Sequence, residues 1–450
     1  MGRLFGTDGV RGIANTELSC ELSMQIGRAT AMVLSKNLKG KRPKVLIGMD
    51  TRASSQMLES AITAGLCSVG ADVLQLGVVP TPAVAFLVRK YNYDAGVMIS
   101  ASHNPCEYNG IKIFQSTGFK LPDALENEIE EIILDNATEI PTPIGGEVGR
   151  VEKSENAVAD YIEHLISVTN MSFQGYKIAL DCANGSSSVS AKEVFTRLGA
   201  EVVVINAEPD GVNINKDCGS THIENLQKCV IENNCDLGFA FDGDADRMLA
   251  VDHTGEIVDG DKCIAVCAKH MKQLGKLKKD TAVVTVMSNM GFFKFCEQNG
   301  IKCEKTKVGD RYVLENMHEN GYSIGGEQSG HIIFLQYATT GDGQLSAIQL
   351  LSVLKDTGKN LKDLADEMEV YPQVLINVRV SNFGKAQFPK DKEVQNAIMQ
   401  VEEELGNNGR ILVRLSGTEP LVRVMLEGKD LDKINELGES VAQVVRERLV

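Results

Sequence analysis

Short apolar runs alternate along this chain with longer stretches whose apolar residues recur at helical spacing, and the alternation repeats. Residues 45–50 read as a buried strand, residues 54–68 as a helix, and after Gly70 a second strand follows over residues 73–76. The same unit recurs as strand 178–181, a helix from about residue 188, Gly199 and strand 202–205. It recurs again as strand 283–286, a helix from about residue 290, Gly300 and strand 302–305. Strand-helix-strand units of this kind build mixed, largely parallel sheets covered by helices, which predicts three related α/β domains. Beyond residue 368 the pattern changes to a strand over 374–380, a helix over 391–405, strands flanking Ser416 and Gly417, and a closing amphipathic helix from about Leu431. This predicts a separate α+β domain. A proline- and glycine-bearing stretch over residues 141–150 marks a connection, and the expected divisions are 1–150, 151–254, 255–368 and 369–450.

Composition narrows the class. At 450 residues the chain is too long for one hydrophobic core, so clefts between domains are expected. A formal net charge of -15 repels nucleic acid and anionic membranes, so a phosphate site must be a local basic pocket in an acidic body. Eleven cysteines without a C-x-x-C pair argue against a disulfide framework and a zinc ribbon, and the expected compartment is the cytoplasm. Cys263 and Cys267 share a helix face and read as core filler. No apolar run reaches membrane-spanning length, the N-terminus lacks a signal-peptide core, and Gly6 stands where a myristoylation motif needs Ser or Thr.

Candidate chemistry sits at strand ends. Ser102, in Ser100-Ala101-Ser102-His103-Asn104-Pro105, follows an apolar strand over 95–100, at the carboxyl end where open α/β sheets bind ligands. The bland reading is an Asn-Pro turn. His103 looks like an adjacent base, but neighbouring residues usually point apart, which favours a structural role. Asp242, Asp244 and Asp246 alternate with Gly243 and Ala245; such carboxylates repel one another unless a cation sits among them, and a wrapped loop brings all three to one Mg2+. Against this stands an exposed acidic turn; an EF-hand is excluded because Arg247 and His253 occupy its glycine and glutamate positions. Arg247 suits a phosphate, whose oxygens a guanidinium pairs two at a time.

Two further loops carry polar sets. Arg414, Ser416, Gly417 and Thr418, with Arg423 beyond, read as a phosphate cradle or as a hairpin turn. Glu327, Ser329 and His331 on the glycine-hinged loop 325–331 suit vicinal sugar hydroxyls or are a solvated turn. Arg11 on the glycine-rich loop 5–12, and Lys112, ten residues beyond Ser102, are single cations that carry little weight alone.

Taken in order, the four motifs around Ser102, Asp242–Arg247, Glu327 and Arg414 resemble the α-D-phosphohexomutase superfamily across essentially the whole chain. The opening Phe5-Gly6-Thr7-Asp8-Gly9-Val10-Arg11-Gly12 and the length are most similar to its bacterial glucosamine-phosphate mutases. The resemblance implies four domains around a central cleft and an isomerase that interconverts glucosamine 6-phosphate and glucosamine 1-phosphate for amino-sugar nucleotide and cell-wall synthesis. It implies Ser102 as phosphoserine; Ser102, Asp242, Asp244 and Asp246 as Mg2+ ligands; and Arg247 on the transferring phosphate. Glu327 and Ser329 match the sugar loop. Arg414, Ser416, Gly417, Thr418 and Arg423 match the distal phosphate site, and Arg11, Lys112 and His331 match residues considered for proton transfer. Glucosamine 1,6-bisphosphate or glucose 1,6-bisphosphate is the implied activator, and priming falls to a protein kinase or to autophosphorylation. A homodimer is compatible with the chain; nucleic acid and membrane partners are not expected. The rival readings are a phosphomannomutase or phosphoglucomutase, a metal-dependent sugar phosphatase with Asp242 as nucleophile, and a non-catalytic sugar-phosphate sensor. Asp246 stands where that phosphatase would carry Thr or Val.

Overall fold

The structure is a computed structural model and describes residues 2–6, 8–39, 41–136, 138–416 and 420–450. The chain forms two compact units, Met1–Met287 with Gly300–Asp366, and Ser288–Asn299 with Glu367–Val450.

Among the described residues, the first unit holds three sheets. The first sheet is built from β1 (Val10–Ile13), β2 (Lys44–Met49), β3 (Asp72–Val78), β4 (Ala95–Ile99), β5 (Tyr108–Gln115) and β6 (Val151–Lys153), in spatial order β1-β5-β4-β2-β3-β6. The second comprises β7 (Lys177–Asp181), β8 (Glu201–Ile205), β9 (Leu237–Phe241), β10 (Met248–Asp252) and β11 (Ile257–Val258), in order β11-β10-β9-β7-β8. The third comprises β12 (Thr281–Thr285), β13 (Lys302–Thr306), β14 (Ile324–Gly326) and β15 (Ile332–Phe334), in order β13-β12-β14-β15. One arrangement repeats in all three: three parallel strands, then an antiparallel neighbour, as β3-β2-β4-β5, β8-β7-β9-β10 and β13-β12-β14-β15. The fold is therefore α/β with mixed sheets, as the strand-helix-strand pattern predicts.

Burial explains the strand patterns. On β2, Val45 and Ile47 enter the core shared with the helices Cys20–Asn37, Ala53–Ser68 and Asp123–Leu134. The opposite face of the sheet, at Gly48 and Gly96, lies against Val84 of the helix Thr81–Lys90. Strands covered on both faces read as continuous apolar runs. The helix expected from about residue 188 opens instead as a 3-10 turn, Ser186–Val189, and becomes α only at Ala191–Arg197. Ser186, Ser187 and Ser188 belong to a residue type that favours caps and turns over helix interiors.

The second unit has one antiparallel sheet of β16 (Gln373–Arg379), β17 (Gly409–Leu415) and β18 (Leu421–Gly428), with β18 central. The helices Lys392–Leu405 and Leu431–Leu449 bury Val394, Val401, Ile434, Val441 and Val445 in its core. The helix Met290–Gln298, the crossover between β12 and β13, groups with this unit: Glu427 Oε2 accepts from Met290 N at 2.8 Å, and Asn289 Nδ2 donates to Tyr371 O at 2.9 Å.

The repeat in the first unit places the chemistry. The link from the last parallel strand to its antiparallel neighbour occurs three times, and the three links carry Ser102, Asp242–Asp246 and Glu327–His331.

Candidate active site

Ser102 begins where the apolar run of β4 ends. Its backbone is left-handed, with φ 55°, a conformation that costs a non-glycine residue energy unless its surroundings hold it. The surroundings do. Ser102 N donates to Ser100 Oγ at 3.0 Å, and Ser102 O accepts from Arg52 Nη2 at 3.0 Å and from Asn215 Nδ2 at 2.9 Å. Arg52 also binds the carbonyls of Asn104 and Pro105 and pairs with Asp50 at 2.8 Å, with both side chains wholly buried. So held, the buried Ser102 Oγ donates to Asp242 Oδ2 at 2.6 Å and accepts from Arg247 Nη1 at 3.0 Å.

The left-handed turn has a second effect, and it corrects the expectation for His103. Instead of pointing away from the nucleophile, the ring turns back, with Nδ1 at 3.4 Å from Ser102 Oγ and 2.6 Å from Arg247 Nη1. Burial and the charges of Arg247 and Arg11 push its pKa down to about 4. The imidazole is therefore neutral at pH 7, with Nδ1 accepting from the guanidinium.

The three aspartates of the β9–β10 link are buried, and their ligand oxygens lie within 4.8 Å of one another. Gly243 permits this packing: a Cβ there would lie 2.6 Å from Ser102 O and 2.9 Å from Asn215 Nδ2. Asp244 Oδ2 accepts from Thr81 Oγ1 at 2.6 Å and from Lys112 Nζ at 2.8 Å; Asp246 Oδ2 lies 3.4 Å from Lys112 Nζ. Burial, with the charges of Asp246 and Asp244, raises the Asp242 pKa to about 8. Burial also opposes ionisation of Asp246, but Lys112, His331 and Arg247 outweigh it and hold that carboxyl well below its usual range. Asp244 Oδ1 and Asp246 Oδ1 are buried without a hydrogen-bond partner among the described residues. Buried carboxylate oxygens left unsatisfied beside a third carboxylate fit a hard divalent cation.

The remaining sequence candidates of the first unit surround this centre. Lys112, on β5, bridges Asp244, Asp246 and Asp8, whose Oδ2 lies at 3.0 Å. Burial works against its charge, but the three carboxylates raise its pKa well above the usual lysine value. Arg11, on β1, pairs with Asp8, and its buried Nε has no hydrogen-bond partner among the described residues; the same holds for Arg247 Nε. His331 Nε2 lies 3.0 Å from Gly341 N and Nδ1 lies 3.7 Å from Asp246 Oδ2; burial opposes the charged ring, but Asp310 and Asp246 outweigh it and raise its pKa. Glu327 Oε1 accepts from Gly309 N at 3.1 Å, and its pKa is raised by burial and by Asp310. Ser329 is exposed on the same loop.

In the second unit, Arg414 on β17 faces Arg423 on β18 across the ladder, and burial together with the Arg423 charge lowers the Arg414 pKa. Like charges opposite one another in a ladder destabilise it, which an anion relieves. Ser416 follows β17 and is buried; Gly417 and Thr418 lie outside the described residues.

Several participants lie outside the motifs. Asp50 and Arg52 at the end of β2, Thr81, Asn215, Lys120 and Asp310 reach the centre or the loops that form it. The one available signal was position: Asp50-Thr51-Arg52 closes a parallel strand, as Ser102 and Asp242 do.

Four family models match the chain: phosphoglucomutase/phosphomannomutase alpha/beta/alpha domain I over residues 2–139, domain II over 159–255, domain III over 259–371, and the C-terminal domain over 375–444. The chain is 57% identical to the phosphoglucosamine mutase of Acetivibrio thermocellus over 449 residues, covering 100% of each chain. It is 54% identical to that of Clostridium novyi over 448 residues, covering 100% of this chain and 99% of the relative. Among solved structures, a phosphoglucomutase/phosphomannomutase family protein from Burkholderia thailandensis superposes with TM-score 0.83 at 23% identity, covering 99% of this chain and 98% of that one. The N-acetylphosphoglucosamine mutase of Aspergillus fumigatus, solved with GlcNAc-6P and magnesium, superposes with TM-score 0.71 at 17% identity, covering 99% of this chain and 96% of that one.

Proposed function

Because the chain belongs to the phosphoglucomutase/phosphomannomutase family, and is 54–57% identical over its length to phosphoglucosamine mutases, we propose that it is an isomerase interconverting glucosamine 6-phosphate and glucosamine 1-phosphate. The observation that carries the chemistry is the convergence of Ser102 Oγ on Asp242 Oδ2, at 2.6 Å, and on Arg247 Nη1, at 3.0 Å, beside two carboxylate oxygens without a hydrogen-bond partner among the described residues. Phosphoryl transfer needs mainly a positioned nucleophile and charge neutralisation.

In the proposed cycle the phosphoryl group on Ser102 passes to the free hydroxyl of the substrate. The Ser102 Oγ–P bond breaks, a sugar O–P bond forms, and the hydroxyl proton passes to the cluster of Lys112, His331 and Arg11, where the His331 imidazole in its neutral form is the group able to take it because Lys112 and Arg11 already carry their protons. The glucosamine 1,6-bisphosphate so formed turns end for end and returns its other phosphoryl group to Ser102. Arg247 balances charge on the transferring group, and Glu327 and Ser329 bind the sugar hydroxyls. A phosphate-binding role for Arg414, Ser416, Gly417, Thr418 and Arg423 belongs to the same proposal, as do the divisions at residues 150, 254 and 368. Asp242, Asp244 and Asp246, with a phosphoserine oxygen, would hold Mg2+, which neutralises phosphoryl charge when bound. A cytoplasmic location, priming of Ser102 by a protein kinase or by autophosphorylation, and activation by glucosamine 1,6-bisphosphate or glucose 1,6-bisphosphate complete the reading. Among the described residues no helix is long and apolar enough to cross a membrane.

The test is turnover of glucosamine 6-phosphate by the purified protein with Mg2+ and glucose 1,6-bisphosphate, followed by phosphorus NMR against glucose and mannose 6-phosphates. The expected result is glucosamine 1-phosphate as main product and loss of turnover with a chelator. Preference for glucose or mannose phosphate would replace the substrate assignment, and inorganic phosphate as main product would replace the mutase reading.

A further inference from the structure

Lys120 lies in the turn between β5 and the helix Asp123–Leu134, outside every motif that marks the site. That turn packs on the part of the chain that carries the third sheet: Gly118 O accepts from Thr339 Oγ1 at 2.6 Å, and the Phe119 ring sits 4.7 Å from that of His318. The Lys120 side chain is only 13% exposed, and its ammonium lies 2.5 Å from Asp8 Oδ1 and 2.6 Å from Asp310 Oδ2. Each carboxylate leads on to functional candidates. Asp8 Oδ2 pairs with Arg11 and with Lys112 at 3.0 Å. Asp310 Oδ2 lies 3.5 Å from His331 Nε2, and the adjacent Gly309 N donates to Glu327 Oε1.

We propose that Lys120 is a positioning residue for the reaction: one ammonium holds Asp8 and Asp310 together, and through them sets Arg11 and Lys112 against Glu327 and His331. The inference rests on the function proposed above. Without the ammonium, two carboxylates face one another across a shielded gap. Like charges so placed repel; Asp8 keeps Arg11 and Lys112, but Asp310 loses its lysine, and the repulsion pushes the segments at residues 8–13 and 309–315 apart. Those segments carry or hold groups that must meet one sugar, so a small displacement reaches the chemistry.

The experiment uses the full-length protein with Lys120→Met, Lys120→Arg and Lys120→Met combined with Asp310→Asn, each checked for folding by thermal unfolding. Since about 1 Å of misplacement costs on the order of 100-fold, kcat of Lys120→Met is expected to fall about 10- to 100-fold with KM changed less than about threefold. Lys120→Arg should restore most of the loss. Adding Asp310→Asn to Lys120→Met should recover about fivefold or more, because it removes the opposed charge, a coupling that a purely packing role would not show. Hydrogen exchange should quicken in residues 8–13 and 309–315 of Lys120→Met. Turnover within about twofold of wild type, or a double variant no better than Lys120→Met, overturns the proposal. Should Lys120→Met not fold, Lys120→Gln is read by the same criteria. Wild-type protein without mutase turnover overturns the functional reading instead, and unchanged exchange in the two segments then overturns the role of Lys120.

Discussion

Ser102 is buried, left-handed and bonded at its amide, carbonyl and hydroxyl, and each constraint comes from a different stretch of chain. The amide is held by Ser100, the carbonyl by Arg52 and Asn215, and the hydroxyl by Asp242 and Arg247. Ser102→Ala keeps the small side chain volume and the cage of backbone bonds, so folding should be retained while mutase turnover falls by about 1,000-fold or more, the scale on which removing a nucleophile acts. Turnover near the wild-type level in protein checked by intact mass would remove Ser102 from the mechanism. His103 shows why one residue's context is not readable from its neighbours. Alternation along an extended strand points it away, but a positive φ at Ser102 interrupts that geometry and returns the ring to Arg247.

At the scale of elements, the site is three copies of one connection, each leaving the last parallel strand of its sheet. The loop at 102–105 is shaped by Arg52 from a neighbouring strand end, and Arg52 in turn depends on Asp50, with both side chains wholly buried. Removing one partner of a buried ion pair strands the other charge, which costs about 3–5 kcal/mol. Arg52→Met is therefore expected to lower the unfolding midpoint strongly and to release the Ser102 loop. A double replacement of Asp50 and Arg52 by apolar residues should recover much of the stability but not the turnover, because the carbonyls of Ser102, Asn104 and Pro105 still lose the Arg52 donor, with Asn215 left to hold the first two. Thermal unfolding and mutase assays on the same samples separate the two effects. Recovered turnover in the double variant would show that Arg52 acts through stability alone.

Across the first unit, the helices Thr81–Lys90 and Ala157–Ser167 meet where His164 stacks on Phe86, with ring centroids 4.0 Å apart. Burial, with Arg89 and Lys90, lowers the His164 pKa from 6.5 to about 4. The folded protein thus refuses a proton that the unfolded chain accepts between those values. Stability from this group is complete above pH 6.5 and is lost progressively as pH falls towards 4. The drop in unfolding midpoint between pH 6.5 and pH 4.5 should be smaller in His164→Gln than in wild type, and an equal drop in both would show that His164 does not set it.

The strand-helix-strand repeat, the change of pattern after residue 368 and the four polar motifs were legible in the sequence because they depend on short-range periodicity and on side-chain chemistry. The antiparallel strand that follows each set of three parallel strands, the turn of His103 and the ties made by Arg52, Asp8, Lys120 and Asp310 were not. Those features join residues as far apart as Lys120 and Asp310, a separation of 190 positions, and no local pattern encodes which distant carboxylate an ammonium will find. Which groups are present, and that they stand at strand ends, follows from the linear order of residues. Which of them meet follows from folding, because burial leaves each charge few partners and the repeated sheets bring three such ends into one unit.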